Sequence, residues 1–286
     1  MMLFSIAKRN LKLFFRDKSS VFFSLLAVFI IIGLYVLFLG NMLSSGMQWL
    51  GDSARFLMDS WIMAGLLAVT SLTTTMGAYG IMIEDKTNKI LKDFSASPVR
   101  RSTLVGGYVL SAFVIGVIMS AVTFVLAEAY IVAYGGTLLG ISAILRVFAC
   151  ILLAVLASSA MVFFLVSFFQ SNNAFATAST VIGTLIGFLT GIYIPIGSLP
   201  ASVQTAIRIF PVSHAGVLMR QIMMEAPLKA AGLDTATEES FRLAMGVDFK
   251  FGGTILTPVH SVLILLATAA VFYVLALINI SRKKKS

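Results

Sequence analysis

The sequence predicts an all-α polytopic membrane protein with six transmembrane helices, and three observations carry that prediction. Of 286 residues, 59% are apolar and only 12% are charged, against about 45–50% and about 25% in soluble domains. So few charges could not cover a soluble protein of this size, and disorder requires low hydrophobicity. Long charge-free gaps recur at about the 20 residues that a helical span needs. Lys and Arg gather in alternate connecting segments, the asymmetry that sets membrane orientation.

The whole chain, 1–286, reads as one transmembrane domain. Residues 1–18 read as an amphipathic interfacial helix, with Lys8, Arg9, Lys12 and Arg16 on one arc. Phe4, Ala7, Leu11, Phe14 and Phe15 occupy the adjoining arc. Such a helix lies in the inner headgroup layer with its basic side toward anionic lipid. It is either a plain anchor or a brace against a pathway or a cytoplasmic partner.

The charge-free gaps place spans near 20–40, 60–83, 103–127, 147–169, 174–195 and 259–280. The polar turn Gln170-Ser171-Asn172-Asn173 separates the fourth span from the fifth. With both termini cytoplasmic, the inner segments hold 14 Lys and Arg against 4 carboxylates, and the outer segments 7 against 8. The net charge of +9 is therefore topological and calls for no nucleic-acid partner. The first apolar run is too long for a cleaved signal peptide, and five more spans follow it. The expected location is the plasma membrane.

Residues 84–98 form the second inner segment. Ile83, Ile90, Leu91 and Phe94 fall on one helical stripe, with Asp85–Lys89 and Lys89–Asp93 pairs beside it. Ser97-Pro98 should end this helix, because the residue before proline avoids the α region. The stripe either docks on another subunit or packs on the headgroup layer. GIMIEDKT, residues 80–87, is not a phosphate loop, since Asp85 stands where the motif needs glycine.

The outer segment 196–258 opens with two short apolar helices, signalled by Ser198 with Pro200 and by Pro211 with Ser213. These dip into the outer leaflet as re-entrant helices. DTATEESFRLAM reads as a third helix with Thr237 as its cap.

Charge counting places Asp59, Glu128 and Arg146 at outer span ends and no ionisable residue at a midplane. That pattern argues against a proton relay and leaves the chain without catalytic residues. Cys150 has no second cysteine to pair with, and His214 and His260 lack partners at metal-ligand spacing. Thr70, Thr73 and Thr74 crowd the second span, where hydroxyls either bond their own backbone or line a path. Gly183, Gly187 and Gly191 repeat every four residues in the fifth span. The repeat allows close helix packing, within one subunit or across a dimer.

Three stretches together carry a family resemblance: RNLKLFFRD (9–17), EDKTNKILKDFSASPVRRSTLVGGYVLS (84–111) and GFLTGIYIPIGSLPASVQTAIRIFPVSHAGVLMRQ (187–221). With them the chain resembles, over essentially its whole length, the membrane permeases of type-2 ATP-binding-cassette (ABC) exporters. The resemblance implies six spans, an interfacial helix, a coupling helix between spans two and three, and re-entrant outer helices. It implies a permease dimer, homo- or heteromeric, bound to a dimer of cytoplasmic ABC ATPases. Glu84, Ile90, Leu91 and Phe94 would then contact the ATPase. ATP and Mg would sit on those partners, with no cofactor or metal in this chain. The expected function is outward movement of an amphipathic drug, peptide, toxin or lipid-linked molecule. An ion-coupled secondary transporter would need midplane charges and often an inverted repeat. A polytopic lipid-modifying enzyme would need a constellation of acid, base or metal ligands.

Overall fold

The structure, a computed structural model, describes residues 2–47, 50–51, 53–90 and 100–282. It is almost wholly helical. Helix α1 (Met2–Arg16) is followed by α2 (Lys18–Ser24) and α3 (Leu26–Leu34). A π-helical turn (Tyr35–Leu39) leads into α4 (Gly40–Ser45). Then come α5 (Ser53–Thr87), α6 (Arg101–Ala133), α7 (Ile141–Val166) and α8 (Asn172–Leu189). The segment after α8 holds a 3-10 turn (Ile196–Ser198), α9 (Ala201–Ile209), α10 (Pro211–Met223), α11 (Glu225–Ala231) and α12 (Thr235–Ala244). A two-stranded hairpin, Lys250–Phe251 with Thr254–Ile255, precedes α13 (Pro258–Arg282).

Among the described residues, four helices are long and apolar enough to cross a membrane: α5, α6, α7 and α13. The first apolar stretch is bent by 44° where α2 meets α3, and it makes a fifth if the pair is one span. Helix α8, expected as a span over 174–195, is shorter and richer in hydroxyls. It stops at Leu189, and Gly191 turns the chain with a φ of +63°.

Helix α5 is the axis of the molecule. Its 35 residues span about 52 Å at 1.5 Å per residue, beyond a hydrocarbon core of about 30 Å. It packs against α6, α7, α8 and α10, while α13 lies on α7. Small residues permit the close crossings. A Cβ on Gly116 of α6 would lie 2.7 Å from both Thr75 of α5 and Val155 of α7. Hydroxyl pairs join the same helices, Ser71 with Ser158 at 3.1 Å and Tyr79 with Ser159 at 3.0 Å.

Helix α1 docks on α6 through a glycine pair. A Cβ on Gly106 would meet Leu3 at 2.9 Å, and one on Gly107 would meet Ile6 at 2.5 Å. Its buried face is Ile6, Ala7, Asn10 and Phe14, whereas Phe4 and Phe15 are exposed. The apolar arc expected from the sequence is thus rotated, because the face that finds α6 includes the polar Asn10, which donates to Ser111 Oγ at 3.2 Å.

Two short helices stand where the prolines of 196–224 predict them. Pro211 occupies the first turn of α10, where its missing N–H costs nothing. Helix α10 is enclosed by α5, α7 and α13. The cap of α12 is Asp234 and not Thr237: the Asp234 carboxylate accepts from the Thr237 N–H at 3.1 Å. Two residues presented by α10, His214 and Arg220, are buried. Charge counting put them in an outer loop, but the fold draws this loop segment into the bundle.

Candidate functional site

Between Leu57 and Asp85, helix α5 is buried on every side except along one stripe: Thr73, Gly77, Gly80 with Ile81, and Glu84. These positions recur at i, i+4, i+7 and i+11, one helical face. A groove runs over that stripe, with α1 to α3 on one side and α8 on the other. Its chamber at the α1 end, termed inner, has a volume of about 550 Å³, and the one toward Tyr193, termed outer, about 830 Å³. Ser20, Gly77, Phe175 and Ala176 line both, so the two are continuous.

The wall from α8 carries Asn172, Phe175, Ala176, Ser179, Thr180, Gly183 and Thr184. They span about 18 Å along the helix at 1.5 Å per residue. Ser179, Thr180 and Thr184 donate to carbonyls one turn back, at 2.8, 3.0 and 2.9 Å. Each hydroxyl oxygen thereby keeps lone pairs for a passing donor. The opposite wall is more apolar, with Phe23, Ala27, Ile30 and Ile31 beside Ser20 and Ser24. Tyr193 stands at the far end. Its ring lies 2.2 Å from where a Cβ on Gly187 would be, so only glycine there lets the ring fold over α8.

The inner chamber is charged. Arg9 of α1 makes a two-pronged ion pair with Asp85 of α5, at 2.7 and 2.9 Å, and Tyr108 of α6 donates to the same carboxylate. The Asp85 bond holds the Arg9 guanidinium above its ordinary pKa. Asp17 caps α2 by accepting from the Ser19 N–H and the Ser20 hydroxyl, and the hydroxyl bond holds its carboxyl below the usual range. Glu84 and Asn88 complete the rim.

The residues singled out in the sequence separate accordingly. Glu84 and Ile90 line the inner chamber; Leu91 and Phe94 lie outside the described residues. Lys8, Lys12 and Arg16 are exposed along α1. Arg9 leaves their arc to meet Asp85, and Asp85 therefore pairs with Arg9 and not with Lys89. Of the three threonines only Thr73 reaches the groove. Thr70 and Thr74 are fully buried and donate to the Leu66 and Thr70 carbonyls. Gly183 faces the outer chamber with nothing near its missing side chain. Gly187 is covered by Tyr193 of its own chain, and Gly191 lies past the helix end.

Sequence reasoning missed the hydroxyl stripe of α8, although its period was there to be read. It also missed Arg220, which nothing local distinguishes from a loop arginine. The arrangement offers a long amphipathic surface and no catalytic constellation among the residues that line it. A family model described as ABC-2 family transporter protein matches residues 50–278. No curated protein matches the chain.

Proposed function

The chain belongs to the ABC-2 transporter family, and from that premise we propose that it is the translocating subunit of an ATP-driven exporter whose cargo moves along the α5–α8 groove. Membership makes it the membrane permease component of an ABC transporter, working with ABC ATPase partners. The observation that carries the finer reading is the groove itself: about 550 and 830 Å³ in continuity, along the accessible stripe of the otherwise buried Leu57–Asp85 stretch of the central helix.

An amphipathic cargo suits these walls, with apolar side chains on one side and hydroxyls on the other. The groove is open along its length, so a second permease subunit facing it would enclose the path. Exposed apolar side chains on both flanks, among them Phe22, Phe29, Val181 and Leu185, favour lipid or a partner over water. We place the termini and residues 84–98 on the cytoplasmic side, following the basic asymmetry, with 196–258 outside. Six spans then require both the bent α2–α3 unit and α8 to cross. Separate cytoplasmic ATPase subunits would supply the energy by binding residues 84–98 differently in their ATP-bound and ATP-free states.

Gly183→Trp tests the path. Open space surrounds this position, so the side chain should be tolerated by the fold while blocking the outer chamber. The expected result is loss of export with normal membrane insertion and normal co-purification of the ATPase. Unchanged export in that variant would move the path elsewhere.

A further inference from the structure

We infer that Arg220 is a positioning residue that pins the outer end of α8 and so holds Tyr193 across the outer end of the groove; this rests on the groove being the transport path. Arg220 is fully buried on α10. Among the described residues no carboxylate pairs with it. Its guanidinium donates instead to backbone: to the Thr190 carbonyl at 3.2 Å, the Gly191 carbonyl at 3.0 Å and the Gly246 carbonyl at 3.4 Å. The Trp61 ring of α5 lies 5.0 Å away beneath the cation. Trp61 in turn donates its indole N–H to the Met245 carbonyl at 2.7 Å.

A buried charge persists only where dipoles replace its water. Here Thr190 is the C-terminal cap of α8, and a helix C-terminus carries partial negative charge. Gly191 and Gly246 are both left-handed, with φ of +63° and +65°, conformations that favour glycine. Gly65 leaves room as well: a Cβ there would come within 2.9 Å of Arg220 Nη2. Glycines on three separate segments thus accommodate one guanidinium. What it clasps is the turn that leads to Tyr193 two residues later. Tyr193 lies on Gly187 and edge-on to Phe188, with ring centroids 5.0 Å apart, and lines the outer chamber. The guanidinium therefore joins the central helix, the 245–246 turn and the end of the groove wall in one contact. No single ammonium could bridge these acceptors, since Lys lacks the rigid fork of donors.

The test uses the permease with its ATPase subunits in proteoliposomes, with Cys150→Ser and a probe cysteine, Thr184→Cys, in the outer chamber. A charged, impermeant maleimide is added from the outer face. Arg220→Met should speed labelling by about tenfold or more, equivalent to about 1.4 kcal/mol, the scale of one hydrogen bond to a charged donor. ATP hydrolysis should continue while export falls. Arg220→Lys should give the same direction and is the variant read where Arg220→Met does not fold. Tyr193→Ala should open the groove without touching the latch. A probe at Ala160→Cys, inside the α5–α7 core, should stay protected throughout, whereas general loosening would expose it. Fast labelling in Tyr193→Ala but not in the Arg220 variants would overturn the latch. Exposure of the core probe together with Thr184→Cys would reduce Arg220 to a structural role. Slow labelling in all variants, with export retained, would overturn the path reading as well.

Discussion

At the residue scale, the inner end of the groove is held by a polar cluster that the surrounding charge density conceals. Arg9, Asp85 and Tyr108 come from three helices, with the Asn10–Ser111 bond beside them. Asp85 is nearly inaccessible while Arg9 keeps about a third of its side chain in solvent. Asp85→Ala removes the acceptor shared by Arg9 and the buried Tyr108 hydroxyl, so it should destabilise by about 1–3 kcal/mol. Arg9→Met leaves the buried Asp85 carboxylate its Tyr108 bond but removes its counter-charge, and should cost up to about 3–5 kcal/mol. The double variant should cost less than the sum of the two, since the groups share one network. Thermal unfolding in detergent measures all three, and strict additivity would show that the pair does not act as a unit. Arc geometry put Arg9 among the headgroup-facing cations because it reports only direction around α1. Which neighbour lies one turn away is tertiary information. The same holds for Arg220: a charge inside a connecting segment reads as exposed until that segment folds inward.

At the element scale, most helices were legible because their limits are chemical. Asp59, Arg101 and Glu128 bound the apolar runs at the heart of α5 and α6, although these helices run on past Asp59 and Glu128 to Ser53 and Ala133; the Ser171 hydroxyl, accepting from the Ala174 N–H at 3.3 Å, starts α8. The end of α8 was not legible, because the apolar run continues through Ile194 while the helix is stopped by the left-handed Gly191. The glycine repeat of the fifth span was visible, yet its three members do different things. Gly183 opens on the groove, Gly187 receives Tyr193 and Gly191 makes the turn. The glycine pair that does bring two helices together is Gly106 and Gly107, under α1. Gly107→Leu should therefore lift α1 from α6, because even its Cβ would come 2.5 Å from Ile6. Overpacking of this kind costs about 1–3 kcal/mol. Faster proteolytic release of the first 17 residues is the expected readout, with α13 unaffected; an unchanged cleavage rate would mean that α1 is held by the Arg9 cluster alone.

For the whole molecule, the arrangement of parts constrains how energy could enter. Residues 84–98 begin in the last turn of α5, and α5 carries the groove stripe on one face and the Trp61 contact with Arg220 near its other end. A push on this segment would therefore act on one continuous helix that meets the inner cluster, the groove and the outer turn in succession. Leu91→Asp, in the stripe that the sequence places after Ile90, should leave the bundle inserted, since the position lies outside the charge-free runs that the sequence assigns to spans. It should abolish export and reduce retention of the ATPase. Burying a leucine is worth roughly 1.5–3 kcal/mol, so its loss at the centre of a small interface should weaken binding by about 10–150-fold at 1.4 kcal/mol per factor of ten. The aspartate adds an unpaired charge to that contact. Co-purification of the ATPase beside an export assay separates the outcomes. Loss of both supports docking through the stripe. Retained binding with lost export would assign the stripe to transmission, while retention of both would leave 84–98 a lipid-facing connector and require the ATPase to act through α1.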